Sequence, residues 1–320
     1  MINIAIIGCA DIAIRRSLPA INALSKKFNI TSILSRDINK ARSLAKIYHC
    51  EALEGYQNVF NIDNLDAVYL PLPTGLHKDW IPKLLKKGIH IYSEKAIALN
   101  KQDATEFVDL AQNNGLALME GYMFQYHNQH QKIKELIEDR RIGKLRFFSS
   151  WFGFPLSNKK NFRLDQQLGG GILSDVAGYP LKATQMYLGN DISILGSSLY
   201  KPKDKEIEIA GSALLQNKEM VTSSISFSYQ SSYQNRYELW GSEGYIKLEK
   251  AFTPGVNEIP NILLKTENSS EMIKADKEDH FISSFNEFYE IIKDKTKREK
   301  HYEDIVNVRS LLDEIRVKSL

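Results

Sequence analysis

The chain has 320 residues, enough for two domains that each bury a hydrophobic core. Its 42 basic and 39 acidic residues give a formal charge of +3, and this near balance argues against nucleic acid or an anionic membrane as a partner. No apolar run is long enough to span a bilayer, and the amino terminus lacks a signal-peptide pattern. Cys9 and Cys50 are too few and too far apart for a disulfide framework or a zinc motif, so we expect a reduced, globular, cytoplasmic protein.

The amino-terminal segment predicts a strand, a sharp turn and the start of a helix. A β-branched, apolar run over residues 2–7 is typical of a parallel strand buried on both faces. It leads into Gly8-Cys9-Ala10-Asp11-Ile12-Ala13, which stands where a dinucleotide-binding fold carries its Gly-x-Gly-x-x-Gly/Ala turn. The helix that follows would point its free N–H groups at a pyrophosphate. Ala10 replaces the second glycine of the pattern, and a purely structural turn is the alternative.

The end of the second predicted strand, over 29–34, bears on the choice of cofactor. An acidic residue at this position takes the ribose hydroxyls of NAD. Ser35 and Arg36 stand there instead and suit a 2′-phosphate, so we expect NADP(H) to be preferred, with NAD(H) as a possible cofactor. We interpret Asp37 as the N-cap of a helix over 38–48. A plain surface role for Arg36 is the alternative.

Two further strand ends carry candidate site residues. The strand over 65–70 ends in Pro71-Leu72-Pro73-Thr74-Gly75-Leu76-His77, whose prolines direct the chain out of the sheet at the edge where cofactors bind. The strand over 89–92 ends in Ser93-Glu94-Lys95-Ala96. A partly desolvated lysine at such a strand end suits a catalytic or hydrogen-bonding amine, and a surface salt bridge is the alternative.

Regular β-α alternation ends near Gly121, so we place a domain boundary there, between residues 1–121 and 122–320. After a helix over 128–139, the remaining strands are long, often alternating and joined by polar turns, which indicates a largely antiparallel sheet. These strands are predicted over 144–154, 193–200, 207–216, 220–230 and 236–248. Two amphipathic helices, over 281–292 and 302–317, follow the sheet.

A glycine-rich segment, Gly169 to Pro180, lies between the first two of these strands. Its three consecutive glycines allow close approach of the backbone to a ligand, and the helix after them would place Asp175 and Tyr179 on one face, with an early kink at Pro180. His127 and His130 are spaced like metal ligands on a helix. No nearby carboxylate or cysteine completes a site, so we expect no metal.

Taken together and in this order, the motifs are similar to those of the glucose–fructose oxidoreductase/inositol dehydrogenase/MocA family of NAD(P)-dependent oxidoreductases. The resemblance implies an α/β fold with an N-terminal Rossmann domain and a C-terminal α+β domain built on a largely antiparallel open sheet. It further implies that the last helix returns to the first domain and that the open face of the sheet forms a homodimer or homotetramer.

The resemblance also implies roles for individual residues. Lys95 and Tyr179 are the expected catalytic residues, with Tyr179 donating a proton and Lys95 polarising the carbonyl. The alternative is that Tyr179 is a packed helix residue and Lys95 alone gives the proton. The expected substrate-binding residues are Asp175, Arg163, Tyr126 and His127. The expected cofactor-binding residues are Gly8, Cys9, Ala10, Asp11, Ile12, Ser35, Arg36, Pro71, Leu72, Pro73, His77, Glu94 and Lys95.

The sequence departs from the family pattern at two positions. Glu-Lys-Pro is replaced by Glu94-Lys95-Ala96, and Tyr179 stands where inositol-type members have a histidine. The tyrosine, Arg15-Arg16 and Asn161-Phe162-Arg163 most resemble the sugar-nucleotide 3-ketoreductases of deoxysugar pathways.

The sequence therefore predicts an NADP(H)-dependent oxidoreductase that transfers hydride between nicotinamide and a carbonyl or secondary alcohol of a sugar or nucleotide-sugar. A glucose–fructose oxidoreductase-like or dihydrodiol dehydrogenase-like enzyme is one alternative. A non-catalytic NAD(P)-sensing regulator is the other.

Overall fold

The computed structural model describes residues 1–156 and 162–319. By its internal contacts the chain divides into two compact units. The first comprises Met1–Gly121 and Phe281–Val306, and the second comprises Tyr122–His280 and Asn307–Leu320.

The regular elements are numbered in chain order. The strands are β1 (Ile2–Ile7), β2 (Phe28–Ser35), β3 (Glu51–Glu54), β4 (Ala67–Leu70), β5 (His90–Ser93), β6 (Leu118–Glu120), β7 (Leu145–Gly153), β8 (Ile192–Tyr200), β9 (Ala210–Asn217), β10 (Thr222–Ser228), β11 (Gln234–Gly241), β12 (Gly244–Glu249), β13 (Asn261–Thr266) and β14 (Ser270–Lys274). The α-helices are α1 (Leu18–Ala23), α2 (Ile38–Tyr48), α3 (His77–Lys86), α4 (Lys101–Asn113), α5 (Asn128–Glu138), α6 (Ile172–Asp175), α7 (Gly178–Leu188), α8 (His280–Lys293) and α9 (Arg298–Val317).

The first unit is built on a parallel sheet with strand order β3-β2-β1-β4-β5-β6. The apolar run of β1 is buried on both faces, as its sequence predicts, and Ile4, Ile6 and Ile7 are inaccessible to solvent. Strand order reverses between β1 and β4, so the connections after these strands leave in opposite directions. Such a reversal opens a crevice at the carboxyl ends of the strands, where α/β proteins bind their ligands. The predicted Rossmann arrangement is confirmed.

The second unit is built on a sheet with strand order β14-β13-β12-β11-β7-β10-β9-β8. Every neighbouring pair in this order is antiparallel except β7 and β10. The predicted, largely antiparallel sheet is therefore confirmed. β13 and β14, at one edge, were not predicted from the sequence; most side chains of β14 are exposed, so this strand shows little alternation.

The glycine-rich segment differs from its prediction. It forms two separate helices, α6 and α7, so Asp175 ends one helix and Tyr179 lies in the first turn of the next. The physical reason is Pro180, which lacks a backbone N–H and fits a first helical turn but not a helix interior. The two side chains are therefore not at adjacent positions on one continuous helix.

Among the helices of the described residues, none is both long enough and apolar enough to cross a bilayer. Asn161, part of one motif used above, lies outside the described residues.

Candidate active site

A cavity of about 380 Å³ opens at the carboxyl edge of the first sheet. Its walls come mainly from the turns after β1, β2 and β4, and strand order reverses between β1 and β4. The lining residues are Gly8, Cys9, Ala10, Ser35, Arg36, Asp37, Lys40, Tyr56, Pro71, Leu72 and Pro73. Most of the residues that the sequence assigned to the cofactor are thus brought together, although they come from three separate segments.

The turn after β1 requires a glycine at its first position. Gly8 has a φ of +122°, a backbone conformation that side chains rarely allow, and an added Cβ would lie 3.0 Å from the Leu72 side chain. Asp11 is exposed, and its carboxylate lies 3.7 Å from the Arg15 guanidinium. The predicted cofactor residues Asp11 and Ile12 are not among those that line the cavity.

Two cationic side chains line the cavity after the end of β2. The Asp37 carboxylate accepts hydrogen bonds from the Asn39 and Lys40 backbone N–H groups at 3.0 and 3.5 Å, which confirms its role as the N-cap of α2. Arg36 is exposed, and Lys40 lines the same cavity one turn into α2. Lys40 was not predicted as a site residue, although its position four residues after Arg36 was a usable signal.

Two other residues that line this cavity are Cys9 and Tyr56. Burial raises the pKa of the Cys9 thiol, against the opposing effects of the Ser35 hydrogen bond and the Lys40 charge, so the thiol stays uncharged at neutral pH. Tyr56 lines the cavity and packs edge-on against Trp80, with ring centroids 5.7 Å apart. Tyr56 was missed because it follows β3, a short edge strand that the sequence pattern did not reveal.

The carboxylate of Glu94, at the end of β5, is held by a buried polar chain. The Tyr69 hydroxyl donates to Glu94 Oε1 at 2.7 Å and lies 2.8 Å from Ser17 Oγ. Burial, followed by the Glu94 charge, raises the pKa of Tyr69 well above its usual value, so its proton stays on the phenol. Lys95 follows Glu94 and is half-buried. Tyr69 and Ser17 gave no local sequence signal, because the contact joins three separate segments.

His77 was expected to line the cofactor path, but its side chain is inaccessible to solvent. Its Nδ1 lies 2.9 Å from the Ile97 carbonyl oxygen, and its Nε2 lies 3.0 Å from the Leu72 carbonyl oxygen. The imidazole therefore contacts backbone rather than the cavity itself.

In the second unit, three side chains meet at one carboxylate oxygen. Arg163 Nε donates to Asp175 Oδ2 at 2.7 Å, and the Tyr229 hydroxyl donates to the same oxygen at 2.8 Å. Burial tends to lower the pKa of Arg163, but the Asp175 carboxylate raises it on balance, and burial together with Asp175 also raises the pKa of Tyr229. Arg163 is thus held as a cation, and Tyr229 is a member of this cluster that the sequence did not indicate.

Gly170, before α6, packs closely against the chain's own backbone. An added Cβ at Gly170 would lie 2.6 Å from the backbone oxygens of Arg163 and Asp165. A glycine is therefore required at position 170 by the chain's own backbone. Its close neighbour is the segment that carries Arg163.

Tyr179 is 6% exposed, and its ring packs among four aromatic side chains. These rings belong to Tyr122, Phe124, Phe152 and Phe252. The hydroxyl lies 3.9 Å from Met123 Sδ, a weak contact.

His127 serves a local role at the start of α5. Its Nδ1 accepts from the Gln129 N–H at 3.2 Å, as an N-cap, and burial lowers the pKa of its imidazole. Its predicted partner in substrate binding, Tyr126, is half-buried. The second histidine of the pair, His130, has its Nδ1 2.8 Å from the Tyr237 hydroxyl. Within residues 1–156 and 162–319, no group of three or more His, Cys, Asp or Glu side chains is arranged to hold a metal.

The comparisons with known proteins match both units. A model of an oxidoreductase family with an NAD-binding Rossmann fold matches residues 2–122, and the C-terminal domain model of the same GFO/IDH/MocA family matches residues 130–247. Among curated relatives, a dTDP-3,4-didehydro-2,6-dideoxy-alpha-D-glucose 3-reductase from Actinomadura kijaniata is 32% identical over 98% of this chain and 95% of its own length. One of the same name from Saccharopolyspora spinosa is 36% identical over 79% of this chain and 76% of its own.

Solved structures agree with this result. A 3-ketoreductase from A. kijaniata, in complex with NADP and TDP-benzene, has a TM-score of 0.95 and 32% identity, covering 99% of this chain and 98% of its own. An aldose–aldose oxidoreductase from Caulobacter crescentus shares the fold with a TM-score of 0.90 at 20% identity, covering 99% of this chain and 97% of its own.

The reversed strand order and the turn at Gly8 are typical of a dinucleotide-binding Rossmann domain, and the matched family is one of oxidoreductases. The chain belongs to the glucose–fructose oxidoreductase/inositol dehydrogenase/MocA family.

Proposed function

We propose that the protein is an NADPH-dependent ketoreductase that acts on the 3-keto group of a nucleotide-linked deoxysugar. The observation that carries the proposal is the full-length similarity to enzymes named for that reaction, at 32% identity over 98% of this chain. The cations of the first cavity support the choice of cofactor, because Arg36 and Lys40 suit a 2′-phosphate while the nearby Asp37 carboxylate is used as a helix cap.

The residues of the first cavity fit NADP(H). Gly8 leaves room at the turn where a pyrophosphate would approach, and Ser35, Arg36 and Lys40 would hold the adenosine phosphate. When bound, NADPH supplies the hydride. Reduction of a ketone then leaves negative charge on the substrate oxygen, which needs a proton and a positive neighbour.

We assign the proton to the Tyr179 phenol and the positive charge to the Lys95 ammonium. Solved structures of the A. kijaniata enzyme include variants in which one lysine or one tyrosine is substituted. Those two positions are separated by the same number of residues as Lys95 and Tyr179. This spacing supports the assignment of both residues.

The cluster around Asp175 would support the same step. Arg163 interacts electrostatically with Tyr179, and a nearby cation stabilises the phenolate that remains after proton donation. Arg163 would also attract the phosphates of a nucleotide-sugar, with Asp175 and Tyr229 fixing its orientation.

One face of the second sheet, here named the outer face, carries the exposed side chains Trp240, Met272 and Phe147. These side chains support the proposal of a homodimer or homotetramer. Trp240 and Met272 are 60% and 58% exposed, and Phe147, the register partner of Trp240, is 47% exposed. An exposed apolar face of this kind favours self-association. The two unpaired cysteines fit a reducing compartment, so the proposal places the enzyme in the cytoplasm.

The experiment is a reduction assay with purified protein, NADPH and dTDP-3,4-didehydro-2,6-dideoxyglucose, followed by the loss of NADPH absorbance and identification of the product. Parallel reactions replace NADPH by NADH, or the nucleotide-sugar by a keto-sugar without nucleotide. We expect the fastest turnover with NADPH and the nucleotide-sugar. Binding of NADPH without turnover on either substrate would contradict the proposal and favour a cofactor-sensing role.

A further inference from the structure

His77 lies between two segments that the proposed reaction needs. It is the first residue of α3, and its imidazole is inaccessible to solvent. One ring nitrogen, Nε2, lies 3.0 Å from the Leu72 carbonyl oxygen, and the other, Nδ1, lies 2.9 Å from the Ile97 carbonyl oxygen. A single buried side chain therefore bridges the turn after β4 and the segment after β5.

The Leu72 contact reaches the cofactor cavity. Leu72 lines that cavity, and its side chain lies close to the dinucleotide turn, where an added Cβ at Gly8 would be 3.0 Å from Leu72 Cδ2. A displacement of the Leu72 backbone would therefore change both the wall of the cavity and the packing of Gly8. Protein interiors are close-packed, so such a shift cannot be absorbed locally without cost.

The Ile97 contact reaches the catalytic lysine. Ile97 is two residues after Lys95, and its backbone is held on both sides. Its N–H donates to Glu120 Oε1 at 2.8 Å, and its carbonyl oxygen faces His77. These two contacts fix the backbone from which Lys95 extends.

We propose that His77 is a positioning residue that holds the Leu72 turn for NADP(H) binding and the Lys95 segment for hydride transfer. The inference rests on the proposed function and adds to it a residue that touches neither cofactor nor substrate. The Nε2 contact with Leu72 is expected to govern cofactor affinity, and the Nδ1 contact with Ile97 is expected to govern turnover.

The protonation state of the ring is consistent with this role. Burial lowers the pKa of His77 to about 4, against the opposing effect of the Ile97 and Leu72 backbone contacts, so the imidazole is neutral near pH 7. A neutral imidazole has one N–H and donates to one carbonyl at a time. Ser93 Oγ lies 3.4 Å from Nδ1 and donates to the Glu94 carbonyl oxygen at 3.1 Å.

Two substitutions test the two contacts separately. His77→Asn places an amide nitrogen near the position of Nδ1 and has no group that reaches Leu72. His77→Gln places an amide nitrogen near the position of Nε2 and leaves the Ile97 carbonyl without a partner. We expect His77→Asn to weaken NADP binding roughly three- to tenfold with a smaller effect on kcat, and His77→Gln to lower kcat by a similar factor with a smaller effect on the NADP dissociation constant.

The matched controls are His90→Asn and His90→Gln. His90 also contacts backbone, since its Nδ1 accepts from the Ala117 N–H at 2.9 Å, but it begins β5, at the opposite end from Lys95. These variants should change thermal stability and leave the NADP dissociation constant and kcat within about twofold, because they break no contact near the cavity.

The measurements are the NADP dissociation constant by titration, kcat at saturating substrate, and thermal unfolding. A purely structural role predicts that both His77 variants lose stability with no separation between affinity and kcat. That result, or unchanged affinity and kcat in folded variants, would overturn the inference. If wild-type protein neither binds NADP nor turns over, the failure lies with the proposed function instead.

Discussion

Cofactor preference depends on how one carboxylate is used. Asp37 is the acidic residue nearest the end of β2, and its oxygen accepts two backbone N–H groups of α2. The helix cap therefore occupies Oδ1 of this carboxylate. Arg36 and Lys40 line the same part of the cavity and are two cations that suit a phosphate.

We expect Arg36→Ala to weaken NADP binding by roughly tenfold or more, because charge-assisted hydrogen bonds contribute about 1.5–3 kcal/mol each. NAD binding should be unchanged, since NAD lacks the 2′-phosphate. Dissociation constants for both oxidised cofactors measure the effect, and Arg42→Ala, an exposed position on α2 that does not line the cavity, is the control. Equal affinities of the wild-type protein for NADP and NAD would contradict this reading of Arg36.

Tyr179→Phe keeps the ring in its aromatic surroundings and removes only the hydroxyl. If the phenol donates the proton, turnover should fall by roughly a hundred- to ten-thousandfold while NADP affinity stays the same. The control is Tyr187→Phe on the same helix, which removes a hydroxyl that lies 2.5 Å from the Tyr237 hydroxyl. Turnover of Tyr179→Phe within about threefold of wild type, far below the expected range, would rule out this assignment.

At the scale of elements, the junction of α8 and α9 depends on one buried arginine. Arg298 donates through Nε to the Ile291 carbonyl at 2.6 Å and through Nη2 to the Ile292 carbonyl at 2.7 Å. Its third contact is with the Gly115 carbonyl, just after α4. One side chain thereby satisfies the end of a helix and links it to a distant segment of the same unit.

We expect Arg298→Met to lower the free energy of unfolding by about 3 kcal/mol, because it leaves buried carbonyls without donors. Urea denaturation measures this loss. The control is Lys300→Met on α9, whose side chain is 78% exposed and 3.5 Å from Asp304, and which should change stability by less than about 1 kcal/mol. Equal losses in both variants would show that the Arg298 contacts contribute little.

At the scale of the whole molecule, the outer face of the second sheet is expected to form the subunit contact. Trp240→Glu places a charge in its exposed apolar patch and should shift the protein to monomer at low micromolar concentration. Sedimentation velocity measures the species present. Met220→Glu is the control, since Met220 is 69% exposed but lies in the turn between β9 and β10. A wild-type monomer under the same conditions would end this interpretation.

The sequence by itself determined the strands of the first sheet and the edge of that sheet where the candidate site lies, whereas Phe281–Val306, which the sequence assigned to the second domain, belongs to the first unit. Continuous apolar strands, the turn at Gly8, the prolines after β4 and the cap at Asp37 are local signals, and each acts within a few residues of chain. Because parallel strands end at the same edge, these signals also determined which side chains would meet. This reasoning selected four of the residues that line the cavity, namely Ser35, Arg36, Pro71 and Leu72.

Only the tertiary structure decided which partners these residues have. Tyr229 donates a hydrogen bond to Asp175, 54 residues away in sequence, and Tyr69 donates one to Glu94, 25 residues away. The His77 imidazole lies between two backbone carbonyl groups. Periodicity and spacing report the secondary structure of one segment, but such contacts depend on how segments pack together. The same reason explains why the sequence did not reveal that Gly170 lies against the backbone of Arg163 and Asp165.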